Sequence, residues 1–190
     1  MKKDVKLYNM ILPTFMLLTM HPLMWVLSLT GNFIIDSIVL LLASLVVFKK
    51  FDGKFYKKNI LKVWGLGFLA DLIGAGYLFL GGVVGYSYIN RFDEPIDSFM
   101  YNLMDGMNDT LNHSDIVTAY SVGFMISAML VAAVAIFLMD YFMVFKNSGL
   151  TKKQGVIASL MFAILTAPYT YFLPEDSFNW YFNLFTFIGY

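Results

Sequence analysis

The stretch that decides the fold is residues 7–48, LYNMILPTFMLLTMHPLMWVLSLTGNFIIDSIVLLLASLVVF, in which His21 and Asp36 are the only acidic or basic residues. A helix rises about 1.5 Å per residue and the hydrocarbon core of a bilayer is about 30 Å thick, so one crossing needs about 20 apolar residues. As a single helix this stretch would be about 60 Å long, which is too long for one crossing. The stretch therefore predicts two membrane-spanning helices joined by a turn.

Two places in this stretch are candidates for the turn. Thr30-Gly31-Asn32 is favoured because glycine and asparagine tolerate the left-handed backbone that a tight helical hairpin needs. This choice gives spans at 8–29 and 32–48. The alternative is a turn at His21-Pro22, which would put the imidazole at the membrane surface.

Three further apolar runs follow, at 60–88, 116–145 and 155–173. Their apolar residues are continuous and do not alternate with polar ones, which excludes the pattern of a membrane β-barrel. Pro168 is expected to kink the last of them. The predicted fold class is all-α: a polytopic transmembrane helix bundle with about five spans, forming one integral membrane domain over residues 1–190.

The composition agrees with a chain that lies mostly in lipid. Hydrophobic residues make up 59% of the sequence and charged residues 14%, whereas soluble domains carry about 25% charged residues. The sequence has no cysteine, which excludes disulfides, thiolate catalysis and cysteine-ligated metal sites. No motif of a metal site or of a cofactor site is recognised, so neither a metal nor a cofactor is expected.

The order of the basic residues predicts the orientation. Twelve of the thirteen lysines and arginines flank span ends on one side of the predicted membrane, and only Arg91 falls on the other. The positive-inside rule then puts the N-terminus in the cytoplasm and the C-terminus outside. The basic segment 49–62, with its interleaved aromatic residues, is expected to contact anionic lipid and not nucleic acid.

Two segments on the outer side are predicted to be helical without crossing the membrane. Apolar residues recur at helical spacing between Ile96 and Leu111, against a polar face that includes Asp97 and Asp105. This pattern predicts an amphipathic helix at the outer surface. The last stretch, 178–190, is too short to cross and is rich in aromatic residues, which is typical of an interfacial helix.

Three carboxylates within the predicted spans are the main candidates for chemistry: Asp36, Asp71 and Asp140. A charged residue near the centre of a membrane helix costs roughly 2.5 to 3.5 kcal/mol on insertion scales, so such a residue needs a partner or a purpose. Asp71 is expected nearest the midplane. No lysine or arginine lies in the middle of a predicted span, so these carboxylates are expected to be protonated, hydrogen-bonded or bound to a cation.

His21 is the candidate partner for Asp71, if the first and third spans touch. A titrating pair of this kind suits a proton-coupled or cation-coupled site. Asp71 and Asp140 also invite comparison with intramembrane aspartyl proteases, in which two aspartates share a site. The Gly-x-Gly-Asp motif of those enzymes is absent, so the protease is a distant alternative.

The third span is rich in small residues that favour close helix packing. Ala70 with Gly74, and Gly81 with Gly85, form pairs of small residues separated by three positions, which let two helix backbones approach closely. Ala128, Ala132 and Ala135 offer a matching face on the fourth span. These residues are expected to serve packing.

Three segments resemble small multi-pass membrane proteins of Gram-positive bacteria: GNFIIDS at 31–37, GFLADLIGA at 67–75 and TAPY at 166–169. That resemblance implies a bacterial plasma membrane and carries no activity with it. In size and helical character the chain is also similar to the substrate-binding subunits of energy-coupling-factor vitamin transporters, which have six spans.

The first functional expectation is a non-enzymatic protein that acts as a subunit or accessory factor of a membrane complex, because no soluble domain or reaction motif is present. A membrane protein partner or a homo-oligomer is expected with it. The alternative is a small proton- or cation-coupled transporter or channel that uses Asp71.

Overall fold

A computed structural model describes residues 22–50, 52–91, 98–112, 118–146 and 148–172. All regular structure in these residues is helical, which confirms the all-α prediction for this part of the chain. The elements, in chain order, are α1 (Pro22–Phe48), α2 (Gly53–Ile89), α3 (Ser98–Asn112), α4 (Ala119–Met139), a π-helical turn (Asp140–Phe145), α5 (Lys152–Leu165) and a short 3-10 helix (Tyr169–Phe172).

Three helical segments in the described residues are long and apolar enough to cross a membrane: Leu29–Phe48, Gly53–Ile89 and Ala119–Phe145. They coincide with the second, third and fourth predicted spans. The chain therefore has the composition and helix lengths of a membrane protein. The total of five spans and the orientation stay predictions, and the interfacial segment at 178–190 lies outside the described residues.

The turn predicted at Thr30-Gly31-Asn32 is wrong, because α1 runs through these residues without a break. A glycine inside a helix costs only about 1 kcal/mol relative to alanine, and no atom would crowd a side chain at Gly31. A break there would leave backbone groups unpaired in lipid, which costs more.

The connection between α1 and α2 is short and closed by local hydrogen bonds. Lys49 adopts a positive φ of 55° just after the end of α1. The backbone N–H of Asp52 donates to the Ser44 hydroxyl (3.2 Å), and the Asp52 carboxylate accepts from the N–H groups of Lys54 and Phe55 (2.9 and 3.1 Å). Asp52 therefore caps the N-terminus of α2, as aspartate does at many helix starts.

Because α2 begins at Gly53 and not near residue 60, lysines that the sequence suggested for a loop lie on the helix itself. All of them are exposed: Lys54, Lys57, Lys58 and Lys62. Their contact with anionic lipid stays a prediction.

The fifth predicted span, 155–173, is not one continuous helix. The helix α5 begins earlier, where Thr151 and Gln154 form a reciprocal capping box, and it ends at Leu165. Its 14 residues are about 21 Å long. Pro168 disfavours helical backbone at the residue before it, so the helix stops before the proline instead of kinking at it.

The chain divides into two compact units. We call one the carboxylate unit; it contains the described residues of Pro13–Ala75 and Met129–Pro168. We call the other the glycine unit; its main segment is Gly76–Ala128. The prediction of a single membrane domain stays a prediction.

The core of the carboxylate unit takes side chains from four helices. Leu40 of α1, Val63 of α2, Ile136 of α4 and Phe162 of α5 belong to one buried cluster. At one end of the unit, the Gln154 amide donates to the carbonyl of Val47 (3.3 Å) and joins the start of α5 to the end of α1. These helices therefore form one continuous packed framework.

The glycine unit is held by close approach of backbones. A Cβ atom at Gly85 would collide with the backbone of Met104 and Asn108 on α3. A Cβ atom at Gly106 would lie 2.6 Å from the Cβ of Tyr120 on α4. The segment near 96–111, which was predicted to form an amphipathic helix, is helical, and α2 and α4 pack against its backbone. Its location at the outer membrane surface stays a prediction.

Candidate functional site

Two of the predicted carboxylates, Asp36 and Asp71, lie on the facing helices α1 and α2. The Nδ2 of Asn32 donates to Oδ2 of Asp71 across the helix pair, at 3.4 Å. Asn32 and Asp36 are four residues apart, so they lie on the same face of α1. That face therefore presents an amide and a carboxyl group toward α2.

Gly67 provides the space for the Asp36 carboxyl group. A Cβ atom at Gly67 would lie 3.5 Å from Oδ2 of Asp36. Gly67 and Asp71 are four residues apart on α2 and share one face. The two helices are thus matched in pairs, with Asn32 against Asp71 and Asp36 against Gly67. Asp36 is only 4% exposed, and Asp71 is more accessible.

Asp140 lies where the helix changes its geometry. It is the first residue of the π-helical turn, in which the N–H of Lys146 donates to the carbonyl of Tyr141 (2.9 Å). Asp140 is 2% exposed, and its Oδ1 has no hydrogen-bond partner among the described residues. Single π-helical turns occur frequently at functional sites.

Asp36 is the central member of the three carboxylates. It interacts electrostatically with Asp71 and also with Asp140. We call Asp36, Asp71 and Asp140 the carboxylate cluster. These two interactions both involve Asp36, whereas the protease comparison requires a direct Asp71–Asp140 pair. The protease stays a distant prediction.

His21 lies outside the described residues, so its pairing with Asp71 stays a prediction. Within the residues that the structure describes, no group of three or more histidine, cysteine, aspartate or glutamate side chains is arranged to hold a metal ion. The expectation that the protein has no metal and no cofactor also stays a prediction.

The small residues expected to serve packing lie in both units. Ala70 is fully buried and belongs to the core of the carboxylate unit, where Gly74 is also buried. In the glycine unit, the ring of Phe124 occupies the space that a Cβ at Gly81 would need. Gly85 meets α3, as described above. At Gly81 and Gly85 the nearest atoms belong to Phe124 and to α3, whereas at Gly67 the nearest atom is a carboxyl oxygen.

Several neighbours of the cluster were not singled out from the sequence. Trp64 of α2 donates its indole N–H to the carbonyl of Leu29 (3.0 Å), and its ring packs edge-on against Phe33 at 6.0 Å. The Tyr56 hydroxyl donates to the hydroxyl of Ser37, the residue next to Asp36, at 3.0 Å. These contacts join α1 and α2 over about two helical turns and fix which faces meet.

From the sequence, Asn32 was interpreted only as a turn residue. Gly67 was interpreted only as one of many small residues. A signal that points to both was present in their spacing, since each lies four residues before an intramembrane aspartate.

No protein-family model, curated protein or solved structure matches this chain.

Proposed function

We propose that the chain is a small proton- or cation-coupled transporter or channel, with Asp36 and Asp71 as its coupling pair. The observation that carries this proposal is the matched arrangement of Asn32 against Asp71 and Asp36 against Gly67 on two adjacent helices. The arrangement puts two carboxyl groups in one buried place, with Asp140 in electrostatic range of the first.

The physical reason is the free energy of buried charge. Charged side chains within membrane helices are costly, and two carboxylates near each other cannot both be ionised without a compensating positive charge. The lysines of the carboxylate unit, among them Lys54 and Lys146, lie at exposed positions near the ends of its helices. A proton or a cation that binds at the cluster lowers this free energy, which gives the site affinity for such an ion.

Both carboxyl groups are withdrawn from solvent. Asp36 is almost fully buried against Gly67. Asp71 is half-buried as a residue, but its Oδ1 is buried and the amide of Asn32 holds its Oδ2 in place. An ion bound at one of the two carboxyl groups is therefore within electrostatic range of the other. Intramembrane aspartates in such chains are typical of proton relays and ion pathways.

The test is ion movement in proteoliposomes. Purified protein is reconstituted with a pH-sensitive dye inside the vesicles, and proton movement is driven first by a potassium-diffusion potential and then by a sodium gradient. We expect proton movement above that of empty liposomes under at least one condition. Asp71→Asn and Asp36→Asn should each reduce it to the level of empty liposomes, because asparagine keeps the shape of the side chain but cannot carry the proton.

The matched control is Asp105→Asn, which removes a carboxyl group of α3 outside the cluster and should leave proton movement unchanged. Equal flux in Asp71→Asn, Asp36→Asn and the unaltered protein would rule out the coupling pair. Absence of proton movement under both driving conditions, together with absence of radioactive sodium uptake into the same vesicles, would rule out the transport function for well-folded protein.

That last result would favour the other expectation from the sequence, a non-enzymatic subunit or accessory factor of a membrane complex. Native mass spectrometry of the gently extracted protein tests directly whether a protein partner is bound. A stoichiometric protein partner would support the subunit, whereas a monomer or homo-oligomer would support an autonomous transporter or channel.

A further inference from the structure

We propose that one end of the carboxylate unit is a binding surface for anionic phospholipid, in which lysines contact the headgroups and exposed apolar side chains contact the acyl chains. We call this surface the basic end; it is formed by residues 46–62 and 142–156. Lipid contact was predicted from the sequence for 49–62 alone, and the second segment is new. The inference is independent of the proposed ion site, because none of the three aspartates of the carboxylate cluster belongs to the basic end.

Contacts between helix ends bring the two segments together. The ring of Phe48, the last residue of α1, packs edge-on against Phe55 of α2 at 5.2 Å. Phe55 stacks in turn on Phe145, the last residue of the π-helical turn, at 6.2 Å. At the start of α5, the Gln154 amide donates to the carbonyl of Val47 at 3.3 Å. The two segments therefore lie at the same end of the unit, although they are distant in sequence.

The basic end carries nine lysines and a single acidic residue, Asp52. Six of the lysines lie between residues 49 and 62 and three between residues 146 and 153, and all nine are exposed. The Asp52 carboxylate accepts from the N–H groups of Lys54 and Phe55, so its charge faces the start of α2. Like charges at this density repel one another unless an anion lies among them. The basic end therefore favours a negatively charged partner.

Exposed apolar side chains continue directly from the lysines on each of the four helical segments. In every case a large apolar residue lies within three residues of a lysine along the chain. These apolar residues are Val46, Leu61, Met143 and Val156. A phospholipid has the same two parts, a charged headgroup and an apolar chain. A soluble polyanion such as nucleic acid would cover the lysines but leave the apolar side chains in water, so the observations favour lipid.

The first turns of α2 show the two parts on one face. Lys54, Lys58 and Leu61 follow one another at helical spacing and are all exposed. Phe55 and Asn59, which each lie one position later than a lysine, are buried. The exposed face therefore changes from charged to apolar along the helix axis. The headgroup and acyl chain of a lipid follow one another in the same direction, because a membrane-spanning helix and its lipids are roughly parallel.

The charged and apolar parts are also in contact at the end of the π-helical turn. The Nζ of Lys146 lies over the exposed ring of Phe142, at 5.5 Å from its centroid. A cation at this distance is attracted by the face of the ring. A lipid at this position would therefore meet an ammonium group and an apolar surface side by side.

The first experiment measures lipid preference of the unaltered protein by native mass spectrometry. The gently extracted protein is titrated with equal amounts of phosphatidylglycerol, which is anionic, and phosphatidylcholine with the same acyl chains, which has no net charge. For the first bound lipid, we expect phosphatidylglycerol to be favoured at least about fivefold, as expected of a single lysine at an anionic lipid surface. Raising ammonium acetate from about 0.1 M to 1 M, which shortens the Debye length from about 10 Å to 3 Å, should reduce this preference. Equal binding of the two lipids at low salt would overturn the proposal.

The second experiment tests whether both segments contribute. One variant replaces Lys54, Lys57, Lys58 and Lys62 with glutamine, and another replaces Lys146, Lys152 and Lys153 with glutamine. Each should lower the preference for phosphatidylglycerol, whereas arginine at the same positions, which keeps the charge, should retain it. The matched control is Arg91→Gln, which removes an exposed positive charge outside the basic end and should leave the preference unchanged. Size-exclusion chromatography checks the folding of each variant.

An unchanged preference in either set of glutamine variants would overturn a surface shared by the two segments. The salt dependence of the unaltered protein tests the proposal even if a glutamine variant fails to fold. Nucleic acid is tested with a fluorescent single-stranded oligonucleotide and protein in phosphatidylcholine nanodiscs, where we expect no change of anisotropy. Binding of the oligonucleotide without a preference for phosphatidylglycerol would overturn the assignment of lipid as the partner.

Discussion

The two units of the molecule use glycine on the same helix for opposite purposes. In the glycine unit, Gly85 of α2 lets the backbone of α3 approach so closely that no side chain fits between them. In the carboxylate unit, Gly67 of α2 faces the Asp36 carboxyl group at ordinary contact distance. The first arrangement is fully packed and serves stability. The second leaves the Asp36 carboxyl group beside a residue of α2 that has no side chain, an arrangement that suits the binding of an ion.

The buried polar groups differ between the units in the same sense. In the glycine unit, Ser121 is fully buried but satisfied locally, since it exchanges hydrogen bonds with Thr118 at the start of α4. In the carboxylate unit, Asp36 and Asp140 are almost as buried, and Oδ1 of Asp140 has no hydrogen-bond partner among the described residues. A buried hydroxyl that is bonded locally stabilises the end of its helix, whereas a buried carboxyl oxygen without a hydrogen bond costs free energy when the group is charged.

The largest effect that this comparison predicts is for Gly85→Ala. The added methyl group meets backbone atoms of Met104 and Asn108, which cannot move aside as a flexible side chain would. We expect a loss of about 2 kcal/mol or more in stability, the usual cost of overpacking a close contact. Thermal unfolding followed by size-exclusion chromatography measures it. Gly65→Ala on the same helix is the control, because nothing lies within 4 Å of a Cβ at that position. Equal stability of the two variants would contradict the close packing of α2 against α3.

A smaller effect is expected for Ser121→Ala. This change removes the hydroxyl that accepts from the N–H of Thr118 at 3.0 Å but keeps the hydrogen bond from the N–H of residue 121 to the Thr118 hydroxyl, and the loss of one such hydrogen bond costs about 1 kcal/mol. Because the cap is local to the glycine unit, proton movement in liposomes should be unchanged when measured at a temperature where the variant is folded. If Ser121→Ala had normal stability but altered proton movement, Ser121 would serve ion movement and not local stability, which contradicts the difference between the two units.

No loss of stability, and a gain of up to about 1 kcal/mol, is expected for Gly67→Ala, because alanine is favoured over glycine inside a helix. The added methyl group would lie 3.5 Å from Oδ2 of Asp36, which is an ordinary contact. Proton movement should nevertheless fall, because the methyl group takes the space beside this oxygen. The comparison with Gly65→Ala, two residues away and open, isolates the contact with Asp36. If both variants transport equally, Gly67 has no part in the site.

Much of this could be predicted from the sequence, because lipid imposes simple demands on it. Long apolar runs require helices, and the aspartates within them stand out by their cost. The break at Gly31 was wrong because tolerance of a turn is not a preference for one, and the surrounding residues favour a helix. At Pro168 a kink within a span at 155–173 was predicted, but the helix ends at Leu165, before the proline.

The rest depends on which helix faces meet, and the sequence does not state this. The pairing of Asn32 with Asp71 requires the registration of α1 against α2, which is set by side-chain packing such as that of Trp64 against Phe33. The π-helical turn at Asp140 has no pattern of its own, since the residues that follow it are apolar in either geometry. The three aspartates were therefore found from the sequence, but Asp36 as their common partner was not.

The position of Trp64 gives the molecule a built-in optical reporter. Its indole N–H bonds to the carbonyl of Leu29, three residues before Asn32, and its ring packs on Phe33 beside the same residue. The emission of an indole responds to its hydrogen bond and to nearby charge, so a change of ionisation at Asp71 or Asp36 would alter the fluorescence of Trp64. The sequence has two other tryptophans, Trp25 and Trp180, and replacing both with phenylalanine would leave one emitter beside the carboxylate cluster. Ion binding would then be measured from the intrinsic fluorescence of the unlabelled protein, before any transported molecule is known.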